Sequence, residues 1–204
     1  MKNTVLLIAL AGLTTTAATA EDFSLSIAGA PTTIDATNGA TITIDIIGDS
    51  SHGEFMISGF YSMVSGSELI SNMSWIPVPW AFNLDDGYAG NGDYNLVGFA
   101  QFPFQFDPAQ DSALGSAIGS FQIQIAAGSF GVIDFNILAG PEFTLETAFG
   151  ENQPPPMGGA FDYMNDTEPG NNLILNGASI NVVPAPSSLA LLGLGGLAAS
   201  RRRR

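Results

Sequence analysis

The stretch at residues 85–93, DDGYAGNGD, gathers residue types that could bind a hard cation. Its three carboxylates, on Asp85, Asp86 and Asp93, are separated by glycines that permit tight turns. Oxygen ligands supplied by one such loop are what Ca²⁺ prefers in proteins. The loop has no glutamate at a twelfth position and no flanking helical pattern, so it differs from helix–loop–helix calcium sites. The sequence therefore predicts calcium binding by Asp85, Asp86 and Asp93, with a solvated acidic hairpin loop as the alternative.

The residue types that catalysis needs do not form a convincing pattern. His52, the single histidine, lies in the turn-forming stretch GDSSHGE beside serines and carboxylates. The members of a catalytic triad come together from distant loops, so we interpret His52 as an exposed turn residue. One histidine and no cysteine cannot complete a zinc site. Among nineteen acidic residues, a carboxylate pair for glycoside hydrolysis can always be chosen, so that pattern predicts nothing. The sequence favours a domain without enzymatic activity.

Charge divides the chain into a middle part and two ends. All nineteen acidic residues lie between positions 21 and 183, and the five basic residues occupy the two ends. Within the middle part, Asp162, Asp166 and Glu168 form a second, sparser acidic group. An anionic domain repels nucleic acid and attracts cations, while charge of one sign also keeps an exported protein soluble. The composition therefore excludes nucleic acid as a partner and permits a cationic ligand.

Aromatic residues near the acidic loop suggest a second kind of binding. Trp75, Trp80, Phe82 and Tyr88 are of the types that stack on sugar rings, although packing in a core is their commoner use. These residues make a carbohydrate-binding module, with extracellular polysaccharide as the partner, an alternative to a structural or adhesive domain. A secreted hydrolase is the third hypothesis.

The middle part has the pattern of an all-β domain. Residues 41–47 (TITIDII), 121–127 (FQIQIAA) and 132–138 (VIDFNIL) alternate apolar and polar side chains, which is typical of half-buried strands. Many short strands separated by Gly and Pro turns predict a single all-β domain over residues 21–183, an antiparallel β-sandwich or a barrel, and we favour the single antiparallel β-sandwich. The Asn-Gly pair within residues 173–183 predicts a closing hairpin. The residues predicted to lie in the core are Ile42, Ile44, Ile46, Ile123, Ile125 and Phe135.

The middle part also resembles a known family in the order of its segments. AGAPTTIDATNGATITIDI, ISGFYSMVSGSELI, GSFQIQIAA and GVIDFNIL follow one another as in the cohesin-type β-sandwich of bacterial surface proteins. The resemblance implies a jelly-roll-like sandwich of nine strands. It does not extend to residues that would imply dockerin binding.

The amino-terminal end has the features of a secretory signal peptide. Lys2 precedes the apolar run VLLIALAGL, and Ala18-Thr19-Ala20 supplies the small residues that signal peptidase requires. Residues 1–20 are therefore predicted to be removed, so that the mature chain begins at Glu21.

The carboxyl-terminal end combines prolines, a short apolar run and a basic cluster. At about 1.5 Å per residue, a helix over residues 187–200 would be about 21 Å long, short of the ~30 Å hydrocarbon core. Basic clusters stay on the cytoplasmic side of a membrane, which leaves the acidic middle part outside. Pro184 and Pro186 hold the preceding segment extended. The residues of the basic cluster are Arg201, Arg202, Arg203 and Arg204.

This order resembles the PEP-CTERM sorting signal of exported bacterial proteins. The signal would span residues 184–204, with Pro184, Ala185 and Pro186 as the tripeptide, and Ala185 stands where the family has glutamate. The resemblance implies recognition and removal of the tail by an exosortase. The expected product is transiently anchored by its carboxyl terminus and then lies at the cell surface or outside the cell.

Overall fold

A computed structural model describes residues 20–51, 55–78, 82–100, 117–140, 146–149 and 162–183. These residues form thirteen strands and contain no helix, which confirms the all-β prediction. The predicted signal peptide up to residue 19, His52, Trp80 and the predicted tail at residues 184–204 lie outside the described residues. The strands are β1 (Asp22–Ala28), β2 (Thr33–Asp35), β3 (Ala40–Ser50), β4 (Phe55–Val64), β5 (Ile70–Pro77), β6 (Phe82–Asp85), β7 (Tyr94–Ala100), β8 (Ala117–Ile125), β9 (Gly131–Ala139), β10 (Glu146–Phe149), β11 (Asp162–Asn165), β12 (Asn172–Asn176) and β13 (Ala178–Val183).

The strands form two sheets. The smaller sheet has the order β12-β1-β3-β8-β5, and the larger has the path β11-β10-β4-β9-β13-β2, with β7 paired to β4 and β6 paired to β7. Among the described strands, two pairings are parallel, β1 with β12 and β2 with β13, and the others are antiparallel. The predicted antiparallel sandwich is thus correct for most pairings. The expected number of nine strands is too low.

The core lies between the two sheets and follows the two-residue period of the strands. In β3, Ile42, Ile44 and Ile46 are buried while Thr41 and Thr43 are exposed. Because successive side chains of a strand point to opposite faces, every second side chain of an alternating segment lies in the core. All of the residues predicted to lie in the core are buried, namely Ile42, Ile44, Ile46, Ile123, Ile125 and Phe135.

An aromatic cluster fills one part of this core. The rings of Trp75 and Phe121 have centroids 4.9 Å apart, and Tyr61 meets both rings edge-on. Trp75 is 8% exposed because its strand directs it inward, across Gly119 of β8. The hypothesis that Trp75 stacks on a sugar ring is therefore wrong. A ring that stacks on a sugar must leave one face open to solvent, and the Trp75 ring is buried in the core.

The Asn-Gly pair near the end of the domain does not make a hairpin. Residues on its two sides belong to different sheets, because β12 pairs with β1 and β13 pairs with β9 and β2. Gly177 is the residue at which the chain crosses from one sheet to the other. The predicted hairpin is wrong because the Asn-Gly signal reports a local change of direction and not the partner of the next strand.

Candidate functional site

The acidic loop is the connection between β6 and β7, and two of its three carboxylates, on Asp85 and Asp93, make contacts that stabilise the fold. Asp93 Oδ1 accepts hydrogen bonds from the backbone N–H groups of Ser65 and Gly66, at 2.8 and 2.7 Å. Its Oδ2 accepts a further bond, at 3.0 Å, from the Asn91 side chain. Asp93 therefore fastens the loop to the connection between β4 and β5.

Two tyrosines hold the same loop against β5. The Tyr88 hydroxyl donates to the carbonyl of Ile70 at 2.8 Å and accepts from Gly92 N–H at 3.1 Å. The Tyr94 hydroxyl donates to Asp85 Oδ1 at 2.7 Å and accepts from Trp75 N–H at 3.3 Å. Burial, and then the bond to Asp85, raise the pKa of Tyr94 to about 12, so this hydroxyl keeps its proton at neutral pH.

These contacts separate the three carboxylates that were predicted to bind calcium. Asp85 faces Tyr94, Asp93 faces the β4–β5 connection, and Asp86 is exposed. In the part of the chain that the structure describes, no three His, Cys, Asp or Glu residues are grouped so that they could hold a metal ion. Calcium binding by this loop stays a prediction, and Asp93 would bind the ion with a carboxylate that already accepts three hydrogen bonds.

Replacing Asp93 with alanine should destabilise the domain by about 1–3 kcal/mol, because two backbone donors lose a charged acceptor. Asp93→Asn keeps one side-chain oxygen and should lose less. Urea unfolding of both variants measures the difference, with Asp86→Ala as the exposed control that should unfold like the wild type. A melting temperature of the wild type that rises with millimolar calcium, and no longer rises in Asp93→Asn, would support the calcium hypothesis. An unchanged stability of Asp93→Ala would contradict the role of Asp93 in the fold.

The outward face of the larger sheet carries an apolar patch centred on Phe60. A Cβ atom on Gly98 would lie 2.7 Å from Phe60 Cε1 and 3.6 Å from Leu84 Cβ, so both side chains cover this glycine. A Cβ atom on Gly140 would similarly lie 2.9 Å from Leu96 Cδ1 and 3.1 Å from Phe60 Cβ. Leu84 is 40% exposed and Leu138, on the same face, is 50% exposed. We call Phe60, Leu84, Leu96 and Leu138 the Phe60 patch.

The outward face of the smaller sheet contains a region of neutral polar side chains. Cross-strand register places Gln124 between Thr41 and Asn72 in one row across the strands, and Gln122 between Thr43 and Ser74 in the next row. An open depression of about 510 Å³ lies at the end of the first row, and its lining includes Asn38, Thr41, Ser71 and Gln124. Hydroxyl and amide groups both donate and accept hydrogen bonds, so this region suits a neutral, hydroxyl-rich ligand.

Neither outward face was anticipated as a site from the sequence. The alternation of β9 and β8 indicated which residues face away from the core, but not which outward residues of different strands become neighbours. Only the pairing of β4 with β7 brings Phe60 over Gly98. The signal available in the sequence was the apolar character of Leu138 at an outward position.

Solved structures that are similar to this chain include cohesins. The seventh ScaB type I cohesin of Pseudobacteroides cellulosolvens is 12% identical, with 81% of this chain and 94% of the cohesin covered and a TM-score of 0.46. The cohesin in the Coh-OlpA–Doc918 complex of Clostridium thermocellum is 8% identical, with 81% and 100% covered and a TM-score of 0.46. A non-cellulosomal cohesin of the archaeon Archaeoglobus fulgidus is 10% identical, with 84% and 97% covered and a TM-score of 0.39.

Comparison of the sequence identifies the carboxyl-terminal segment. No curated protein matches the chain, but residues 182–204 match the model of the PEP-CTERM protein-sorting motif. Among the described residues, none form a helix that is both long and apolar enough to cross a membrane, and the predicted helix at 187–200 lies outside them. Residues 182–204 thus carry a PEP-CTERM sorting motif, which indicates an exported protein that an exosortase sorts and that is directed to the cell surface.

Proposed function

We propose that residues 21–183 are a non-enzymatic β-sandwich that serves a structural or adhesive role at the cell surface or in the extracellular matrix. The observation that carries this proposal is the Phe60 patch, an apolar surface on the outward face of a sheet of an exported protein. A contiguous apolar patch that stays exposed marks a protein-binding surface in many soluble proteins.

The position of the patch supports a binding role over a packing role. Leu84 and Leu138 stand on the face opposite to Tyr61, Val97 and Ile137, which are buried in the core. The outward leucines therefore add nothing to the core of a single chain. Phe60 itself is half-buried between Gly98 and Gly140, so it forms a fixed base on which a partner can bury the leucines. A fixed base reduces the conformational entropy that is lost on binding.

The test is the retention of the protein on extracellular matrix from its native host. Leu84→Ser with Leu138→Ser should lower retention at least about tenfold, since central apolar contacts carry most of the binding energy. Val132→Ser is the matched control, because Val132 is 59% exposed on the same face of β9 but six residues from Leu138. All variants should keep the wild-type melting temperature. Equal retention of the double variant and the wild type would contradict adhesion through the patch.

The route to the surface is proposed from the two ends of the chain. Signal peptidase removes residues 1–20, and residues 187–200 hold the chain in the membrane for a limited time. Arg201 to Arg204 stay in the cytoplasm, and Pro184-Ala185-Pro186 is presented outside to the exosortase. A helix about 9 Å shorter than the hydrocarbon core is a weak permanent anchor but sufficient for a temporary one.

Mass spectrometry of protein recovered from the host surface should show a carboxyl terminus upstream of Leu189. Replacing Arg201 to Arg204 with serine removes the cytoplasmic stop, so full-length protein should escape into the medium before processing. Replacing the same four residues with lysine keeps the charge and should preserve processing. Surface protein that retains its tail through Arg204 would contradict the temporary anchor.

Polysaccharide remains the alternative partner, and a specific surface favours it. The neutral rows and the depression on the smaller sheet offer hydroxyl and amide groups to sugar hydroxyls. Gln122→Ala with Gln124→Ala should then reduce binding to extracellular polysaccharide while leaving retention through the Phe60 patch unchanged. This pair of variants separates the two surfaces because they lie on opposite sides of the sandwich.

A further inference from the structure

The residue that follows the predicted signal peptide is held in place by the far end of the domain. Glu21 has no exposed surface, whereas Ala20 beside it is exposed. The backbone N–H of Glu21 donates to Asn171 Oδ1 at 2.8 Å, and the carbonyl of Glu21 accepts from Asn172 N–H at 2.9 Å. Both partners lie 150 or 151 positions later in the chain. These bonds begin the parallel pairing of β1 with β12.

Asn171 is held in its orientation by contacts within its own loop. Its Nδ2 donates to the carbonyl of Asn165 at 2.6 Å, and its backbone N–H donates to the carbonyl of Glu168 at 3.0 Å. Asn165 is itself held in a turn, since its Oδ1 accepts from the N–H and the hydroxyl of Thr167. With Nδ2 committed to Asn165, the oxygen of the Asn171 amide is the group left to face Glu21. The loop between β11 and β12 is therefore a preformed acceptor.

We propose that this loop is a seat for the amino terminus that export creates, in which Asn171 Oδ1 binds the α-ammonium group of Glu21. The proposal rests on the proposed removal of residues 1–20. Hydrolysis of the Ala20–Glu21 bond by water leaves a carboxylate on Ala20 and an amine on Glu21, and this amine is protonated near neutral pH. The amide donor seen opposite Asn171 then becomes a charged donor at the same position.

The α-ammonium group of Glu21 would be a rare positive charge in a strongly acidic domain. Residues 21–183 contain nineteen acidic residues and no lysine or arginine, so the new ammonium is their only strongly basic group. Two of the carboxylates, on Asp166 and Glu168, belong to the loop that holds Asn171, and Asp22 accepts a bond from the Asn172 side chain at 2.8 Å. A hydrogen bond from a charged donor is about twice as strong as one between neutral groups, and the acidic surroundings strengthen it further.

The burial of Glu21 in this loop requires that the signal peptide is removed before β12 pairs with β1. A protease needs an extended, accessible chain on both sides of the bond that it cuts, and Glu21 is fully buried once β12 has paired with β1. Signal peptidase therefore acts before Glu21 binds to this loop.

The experiment compares two exported proteins that differ at the amino terminus. One glycine inserted between Ala20 and Glu21 moves the ammonium one residue outward and restores an amide at Glu21. The inserted form should melt about 2–4 °C below the wild type, because a charged hydrogen bond is replaced by a neutral one. Asn171→Ala should bring the two forms to the same melting temperature.

Mass spectrometry of both recovered proteins establishes where each begins. A wild-type protein that begins at Glu21 but melts at the same temperature as the inserted form overturns the seat and leaves the proposed export intact. A difference that persists in Asn171→Ala also overturns it, because another group must then bind the terminus. A wild-type protein that begins elsewhere overturns the proposed cleavage and the seat together.

Discussion

Replacing Trp75 with alanine is expected to destabilise the domain by about 3–5 kcal/mol and to lower its melting temperature by about 10 °C or more. The indole ring contacts Phe121 and Tyr61 in the core. Its Nε1 atom has no hydrogen-bond partner among the described residues, so the loss is one of packing. Gly119 lies directly beneath the ring and has no side chain to refill the space. The cavity therefore stays open, and an open cavity gives the largest losses.

Thermal unfolding of the exported protein measures the effect, with Trp75→Phe as the matched control. Phenylalanine keeps a ring over Gly119 and should lose less than half as much stability. A glycan-binding measurement on Trp75→Ala can be interpreted only together with its melting temperature. If Trp75→Ala melts like the wild type yet no longer binds a glycan, the ring is exposed in solution and our placement of it in the core is wrong. If it melts early, loss of binding reports only unfolding.

The burial of side chains was predictable from the sequence wherever a strand alternates. The period of two in β3, β8 and β9 places Ile44, Ile123 and Phe135 on the core side, and all three are buried. The physical reason is local, since the pleat of a strand assigns each side chain to a face without reference to the rest of the fold. Pro77 ends β5, which lies at the edge of the smaller sheet, where a proline is tolerated.

The pairing of strands and the use of polar side chains were not predictable in this way. Periodicity shows that Trp75 and Tyr61 each belong to a strand, but only the two-sheet arrangement brings their rings together. In the acidic loop, composition shows three carboxylates but not that Asp93 turns toward the N–H groups of Ser65 and Gly66. A backbone donor from a distant turn competes with a cation for the same oxygens. The sequence contains no local signal for the outcome of that competition.

Replacing Gly177 with alanine is expected to destabilise the domain by about 2–3 kcal/mol, and replacing it with valine by more. A Cβ atom on Gly177 would overlap the carbonyl oxygen of Phe135, which belongs to the backbone of β9. A backbone atom cannot move aside as the end of a flexible side chain can. Phe135 is buried in the core, and its pairing with Ala178 begins the pairing of β13 with β9. The added methyl group must therefore separate β13 from β9 or shift Phe135.

Gly128→Ala is the matched control for Gly177→Ala, because glycine is required at the two positions for different structural reasons. Gly128 has a φ of 76° and no atom within 4 Å of an added Cβ, so alanine there costs about 1 kcal/mol through backbone strain alone. Gly177 has no positive φ, so its cost arises from the close approach of the β12–β13 connection to the backbone of β9. Urea unfolding should rank Gly177→Ala as the less stable variant. The opposite rank would mean that the chain does not cross between the sheets at Gly177, and a hairpin of β12 with β13 would again be the better interpretation of the Asn-Gly pair.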